Sequence, residues 1–179
     1  IKKCFFQDSE KNIWLGTAKY GFYKFNIRSN VTQTIHFDNE QSPYNSHRSI
    51  YADHDNIWLG TLGGALRLNP NHPEASPKEI NGSAVFAFLK DSHGNLWLGT
   101  NFGLYQVKPD GSRTCYTHNE KDPHSLSSTF VRSLYEDHNG LIWVGFETSG
   151  LSYFNPATGH FTRVGKNTQG EEVFGNIIF

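Results

Sequence analysis

The 179-residue sequence has no methionine, only two cysteines and a formal net charge of −1. So balanced a charge gives no reason to favour a phosphate backbone or an anionic membrane surface, and nucleic acid is not expected as a partner. The longest apolar runs, such as Val85–Leu89 and Leu141–Val144, fall far short of the roughly 20 residues that span a bilayer. No membrane contact by this segment is expected. Cys4 and Cys115 have neither C-x-x-C nor metal-ligand spacing, which removes the usual basis for a redox motif or a zinc site. They are expected to be free, half-buried thiols. No basic stretch followed by an apolar one stands at the start, and the sequence reads as excised from something longer.

Aromatic residues, by contrast, make up 15% of the chain, with 17 Gly and 7 Pro. That mixture suits many short strands joined by tight turns. One tetrad recurs: Trp14-Leu15-Gly16-Thr17, Trp58-Leu59-Gly60-Thr61, Trp97-Leu98-Gly99-Thr100 and Trp143-Val144-Gly145-Phe146. The Trp residues lie 44, 39 and 46 apart, within the roughly 40–50 residues of a four-stranded propeller blade.

The fourth copy shows the grammar of one repeat. Val131–Glu136 reads as strand A, and Asp137-His138-Asn139-Gly140 as a turn in which Gly accepts positive φ and the carboxylate bonds backbone N–H groups. Leu141–Gly145 reads as strand B. Gly150 opens strand C, Leu151–Asn155, which Pro156 ends because proline cannot donate to a ladder. Strand D is His160–Val164. Copies one to three repeat the pattern, with strand A ending at Asp8, Asp53 and Asp91 and strand C beginning after Gly21, Gly64 and Gly103. Asn71–Pro77 reads as a loop before a short strand D at Lys78–Ile80.

Several strands are apolar on both faces, so both faces must be covered. A propeller does this by packing each blade between neighbours. The fold expected is therefore all-β, a β-propeller of four-stranded antiparallel blades at about 1–40, 46–82, 84–118 and 129–165, with a further blade begun at 172–179. Small residues recur at one position of strand A, namely Cys4, Ser49, Ala87 and Ser133, as expected of a crowded innermost strand. A closed four-bladed ring has no use for a fifth strand A, so the segment is expected to be open.

Asp91-Ser92-His93-Gly94-Asn95-Leu96-Trp97-Leu98-Gly99-Thr100 with Gly103-Leu104, and Asp137 through Gly145 with Gly150-Leu151, resemble the two-component regulator propeller repeat. Asn119–Ser128 is similar to the stretch joining blades in that family. Three departures stand out: Lys11 in place of the turn glycine, a turn one residue shorter in the second copy, and Phe146 in place of Thr. The resemblance implies a seven-bladed propeller in the periplasmic sensor region of a hybrid two-component histidine kinase, homodimeric at full length, of a kind that responds to oligosaccharides.

Each conspicuous residue type also has a structural reading. The four Trp residues, identically placed in strand B, suit blade packing better than a sugar-stacking ladder. Asp8, Asp53, Asp91 and Asp137 occur once per blade, whereas glycoside hydrolysis needs two carboxyls within about 5–9.5 Å. A sialidase-type Asp box, a close confounder, has a different spacing and is itself structural. His54, His93 and His138 sit in separate turns without a ligand pair. No catalytic residue, metal ligand or cofactor is expected.

Repeats vary where they bind. Strand A contributes Lys3, Arg48, Phe86 and Arg132 at one equivalent position. The B-to-C loops contribute Lys19 and Tyr20, Asn101 and Phe102, Glu147 and Thr148. Cations and amides near exposed rings suit a polar or anionic sugar, with Arg able to hold a carboxylate or sulfate through two parallel bonds. The expected function is oligosaccharide sensing with signalling to a kinase outside the segment. The alternatives are a protein-interaction propeller without a small ligand and a propeller lyase or glycosidase.

Overall fold

The structure, a computed structural model, describes residues 5–37, 41–52, 56–70 and 78–165. Lys3, Cys4, Asp53, His54, the Asn71–Pro77 loop and the start of a further blade at 172–179 lie outside the described residues. The chain divides into two units, Ile1–Val85 and Phe86–Phe179.

The first unit contains β1 (Phe5–Gln7), β2 (Asn12–Gly16), β3 (Phe22–Asn26) and β4 (Val31–Ile35), then β5 (His47–Ala52), β6 (Ile57–Thr61), β7 (Gly64–Leu68) and β8 (Lys78–Asn81). The second contains β9 (Val85–Lys90, its first residue apart), β10 (Leu96–Thr100), β11 (Gly103–Val107) and β12 (Arg113–Tyr116), then β13 (Val131–Glu136), β14 (Ile142–Phe146), β15 (Leu151–Asn155) and β16 (His160–Val164). Each set of four consecutive strands forms one antiparallel sheet in chain order. The protein is all-β, as its sequence indicates, with a single 3-10 turn at Pro43–Asn45 among the described residues.

The Asp-Gly turns explain the A-to-B reversals. Asp91 Oδ1 accepts from the backbone N–H of His93 (3.0 Å) and Asn95 (2.8 Å), and Asp137 Oδ1 does the same for Asn139 and Leu141. Gly94 and Gly140 supply φ values of 82° and 77°. In the first blade Lys11 takes that left-handed position at φ 68°.

Trp14 and Trp97 are fully buried. In the first unit Trp14 packs with Phe22 of its own sheet and Ile57, Leu59, Leu66 and Leu68 of the next. In the second, Trp97 packs with Leu104 and with Val131, Ile142, Val144 and Phe154 of the following sheet. Each therefore fills an interface between neighbouring sheets. All five residues of β10 are buried, so both faces of that strand are covered.

Glycine in the tetrad answers to the small residues of strand A. Ser133 stands opposite Gly145 and Ser49 opposite Gly60. A Cβ on Gly99 would lie 2.6 Å from Val131 Cγ1 and 3.4 Å from Ala87 Cβ. Close approach of adjacent strands and sheets thus demands both residues to be small. Cys115 departs from expectation: it is exposed, not half-buried, because it lies on β12, the outer edge strand, whose first three residues all face solvent.

Candidate functional site

Two of the strand-A residues singled out in the sequence share a backbone device. His47 pairs with Thr61 and Ser49 with Gly60, leaving Arg48 as an extra residue. Val131 pairs with Phe146 and Ser133 with Gly145, leaving Arg132 likewise. Both arginines sit on β-bulges, which re-aim a side chain out of the regular alternation of a strand.

In the first unit Arg48 lines an open pocket of about 950 Å³ together with Lys19 and Tyr20. Its loop is fixed by Thr17, whose Oγ1 donates to Gly21 O (2.9 Å) and accepts from Tyr20 N (2.9 Å). This clasp leaves Tyr20 well exposed. The opposite wall is the 3-10 turn, held by Asn45: its Oδ1 accepts from Phe37 N (2.8 Å) and its Nδ2 donates to Phe37 O (3.2 Å). His47 N donates to Thr17 O (2.9 Å), tying the loop to β5. Arg48 Nε is buried and has no hydrogen-bond partner among the described residues.

The second unit assembles Phe86, Arg132 and Glu147. Arg132 Nε donates to Glu147 Oε2 (3.0 Å) and Nη2 to Oε1 (2.8 Å). Its guanidinium also lies over Phe86 at 4.3 Å and Phe130 at 4.7 Å, and the two rings stack at 5.2 Å. The three predicted residues meet, but the arginine's fork is already occupied by a carboxylate.

Asn101 and Phe102 sit in a loop clasped by Thr100, whose Oγ1 donates to Gly103 O (2.8 Å) and accepts from Phe102 N (3.1 Å). Phe102 and Thr148 are exposed, and the Asn101 Oδ1 atom is buried without a partner among the described residues. Of the candidates in these two loops, Glu147 stands in the arginine cluster. In the fourth blade Phe146 replaces the clasping Thr and is fully buried. The hydroxyl is exchanged for core volume.

Sequence reasoning missed Tyr23, His36, Asn45 and Ser46 in the pocket wall and Phe130 beside Arg132. Phe130 directly precedes strand A, so the residue flanking each bulge was the available signal. His36 and the 3-10 turn lie between blades, where the repeats share no register.

The turn aspartates are committed elsewhere. Trp14 Nε1 donates to Asp8 Oδ2 and Trp97 Nε1 to Asp91 Oδ2, each at 2.7 Å. Trp143 Nε1 reaches Asp137 Oδ2 at 2.9 Å. The indole bond holds the Asp137 carboxyl below its ordinary range. At Asp8 burial opposes ionisation, but the bonds from Asn12 and Trp14 outweigh it and the carboxyl is lowered too. A carboxylate so held is a poor general acid. Among the described residues no group of three or more His, Cys, Asp or Glu side chains gathers.

The sequence pattern of the two component regulator propeller family matches residues 79–102 and 125–148. Those two stretches are similar to that family's repeat. Its fold is similar to the extracellular domain of a protein from B. thetaiotaomicron described as a hybrid two component system, at a TM-score of 0.75 and 23% identity, covering 98% of this chain and 22% of that one. A second such extracellular domain from the same organism gives 0.68 and 18%, covering 96% and 23%. Virginiamycin B lyase from Staphylococcus aureus shares the fold at 0.68 and 9% identity, covering 95% and 57%. The chain thus spans about a fifth of the two extracellular domains. No curated protein matches the sequence.

Proposed function

We propose that the chain is part of the periplasmic, ligand-sensing propeller of a hybrid two-component sensor, that it detects an oligosaccharide, and that it signals to a kinase outside this segment. The observation that carries the reading is the pocket where Tyr20 stands exposed beside Lys19 and Arg48. An exposed ring offers a flat apolar face to a sugar, and polar groups converging around it fix orientation. The regulator-propeller repeats and the similarity in fold to extracellular domains support placing that pocket outside the cytoplasm. The assignment as a binder and not an enzyme is supported by the turn aspartates, which clamp indoles and backbone.

A glycan-array screen of the intact protein, followed by calorimetry of the hits, tests this reading. Tyr20→Ala is expected to weaken binding about tenfold, the loss of a few contacts and about 1.4 kcal/mol. Dimerisation with no glycan bound would instead favour an interaction platform, and turnover of a bound polysaccharide would favour a propeller lyase or glycosidase.

A further inference from the structure

We propose that the pocket of the first unit holds a dedicated subsite for an anionic oxyanion group, a carboxylate or a sulfate ester, and that Arg48 is its principal ligand. The inference rests on reading this pocket as the ligand site.

The argument comes from comparing two blades of the same molecule. Arg48 and Arg132 occupy the same bulge, one residue before the serine that pairs with the tetrad glycine. In the fourth blade the residue after the tetrad is Glu147, and it fills the fork of Arg132 with two parallel hydrogen bonds. In the second blade the residue at that position is Leu62, which lines the pocket. Arg48 therefore holds the same backbone position with Leu62 where the fourth blade has its carboxylate. Its Nε, one of the two nitrogens that Arg132 gives to Glu147, is buried and without a partner among the described residues. A guanidinium whose own blade supplies no carboxylate at this position is suited to an external one, and a ligand oxyanion meets it from the pocket that Arg48 lines.

The surroundings agree in sign. The described lining residues include Lys19, His36 and Arg48, and no Asp or Glu. Ser46 adds a neutral polar group on the turn side. A planar guanidinium favours a two-oxygen acceptor over a point anion, so a halide is not the class expected.

The test pairs acidic and neutral probes. Oligogalacturonate is compared with its carboxyl-reduced counterpart, a sulfated disaccharide with its desulfated form, and sodium sulfate is titrated alone, all by calorimetry on the intact protein. The acidic member of at least one pair is expected to bind about tenfold or more tightly, in line with a charge-assisted pair of bonds, and to weaken with added salt. The pair that shows the preference separates carboxylate from sulfate. Arg48→Gln is expected to erase the preference. Leu62→Glu installs the missing carboxylate, leaves Arg48 in place, and is expected to erase it as well. Folding of both variants is checked by melting temperature.

Equal binding of acidic and neutral probes by the unaltered protein overturns the subsite, as does a preference that survives in both variants. If neutral saccharides bind and no charged probe gains, the sensing reading stands and the anion subsite falls. If no saccharide binds but sulfate does, and Leu62→Glu abolishes it, the subsite stands and oligosaccharide sensing falls.

Discussion

The indole N–H of Trp97 donates to Asp91 Oδ2 at 2.7 Å while Oδ1 of the same carboxylate caps the backbone N–H groups of His93 and Asn95. One aspartate thus joins the turn to the Trp that fills the sheet-to-sheet interface. Asp8 with Trp14, and Asp137 with Trp143, repeat the link. Spaced repeats of Asp and Trp are therefore a structural unit, and their chemistry is folding.

Asp91→Ala is expected to destabilise the protein by about 2–4 kcal/mol, since it leaves the buried indole and several backbone donors without their acceptor. Asp91→Asn keeps an acceptor oxygen but forfeits the charge, and should cost less. Urea unfolding of the two variants measures the order, and equal costs would disprove the charge-assisted link.

Lys11 adopts φ 68° where Gly94 and Gly140 adopt 82° and 77°. A left-handed non-glycine residue costs roughly 1–2 kcal/mol, partly offset because glycine loses more backbone freedom on folding. Lys11→Gly is expected to stabilise by about 0.5–1 kcal/mol, with Lys11→Ala giving no such gain. A rise in melting temperature for the first and not the second is the readout.

The blades were legible because the signals that specify them are local and repeated. Trp14 and Trp97 can be placed from the tetrad alone, and the Asp turns follow from backbone chemistry within four residues. The bulged position of Arg48 and Arg132 was legible as a register equivalence. What their side chains meet was not. Glu147 is 15 residues from Arg132, and its effect depends on a loop whose clasping threonine Phe146 has replaced. The wall of the pocket comes from His36 and from Asn45, in a connection between blades that obeys no repeat. A periodic pattern predicts the periodic part of a fold, and the pocket lies where the period fails.

His47 is 4% exposed, its ring lying 5.4 Å from that of Phe22 and 6.1 Å from that of Phe37, with Nε2 lacking a partner among the described residues. Burial disfavours its cation and lowers its pKa to about 4, against partial opposition from backbone bonds to Thr17 and Asn45. The unfolded chain binds a proton near pH 6.5, the folded one not until about 4. Within that window the unfolded state holds more protons, so stability falls as pH drops, by at most about 1.4 kcal/mol per pH unit. His47→Phe removes the titrating group and the unmatched nitrogen together. Unfolding free energies at pH 7 and 5 should differ less in this variant than in the unaltered protein, and an unchanged difference would assign the slope to other groups.

Arg132 is held in two ways that can be separated. Its fork binds Glu147, but the pair is partly exposed, at 29% and 41% of the side chains, and solvent screening keeps such a bridge to about 0.5–1 kcal/mol. Its face lies over Phe86 and Phe130, each contact adding roughly 0.5–1 kcal/mol. Arg132→Ala is therefore expected to cost about 1.5–3 kcal/mol and Glu147→Ala about 0.5–1. Arg132→Lys retains the charge and loses the planar fork and stack, so it should resemble the alanine variant more than the parent. Raising salt should shrink the cost of Glu147→Ala and leave most of the cost of Arg132→Ala, because stacking is weakly screened compared with an exposed ion pair. A double-mutant cycle over the pair gives the bridge alone, and a coupling as large as the whole Arg132→Ala effect would show that the aromatic rings contribute nothing.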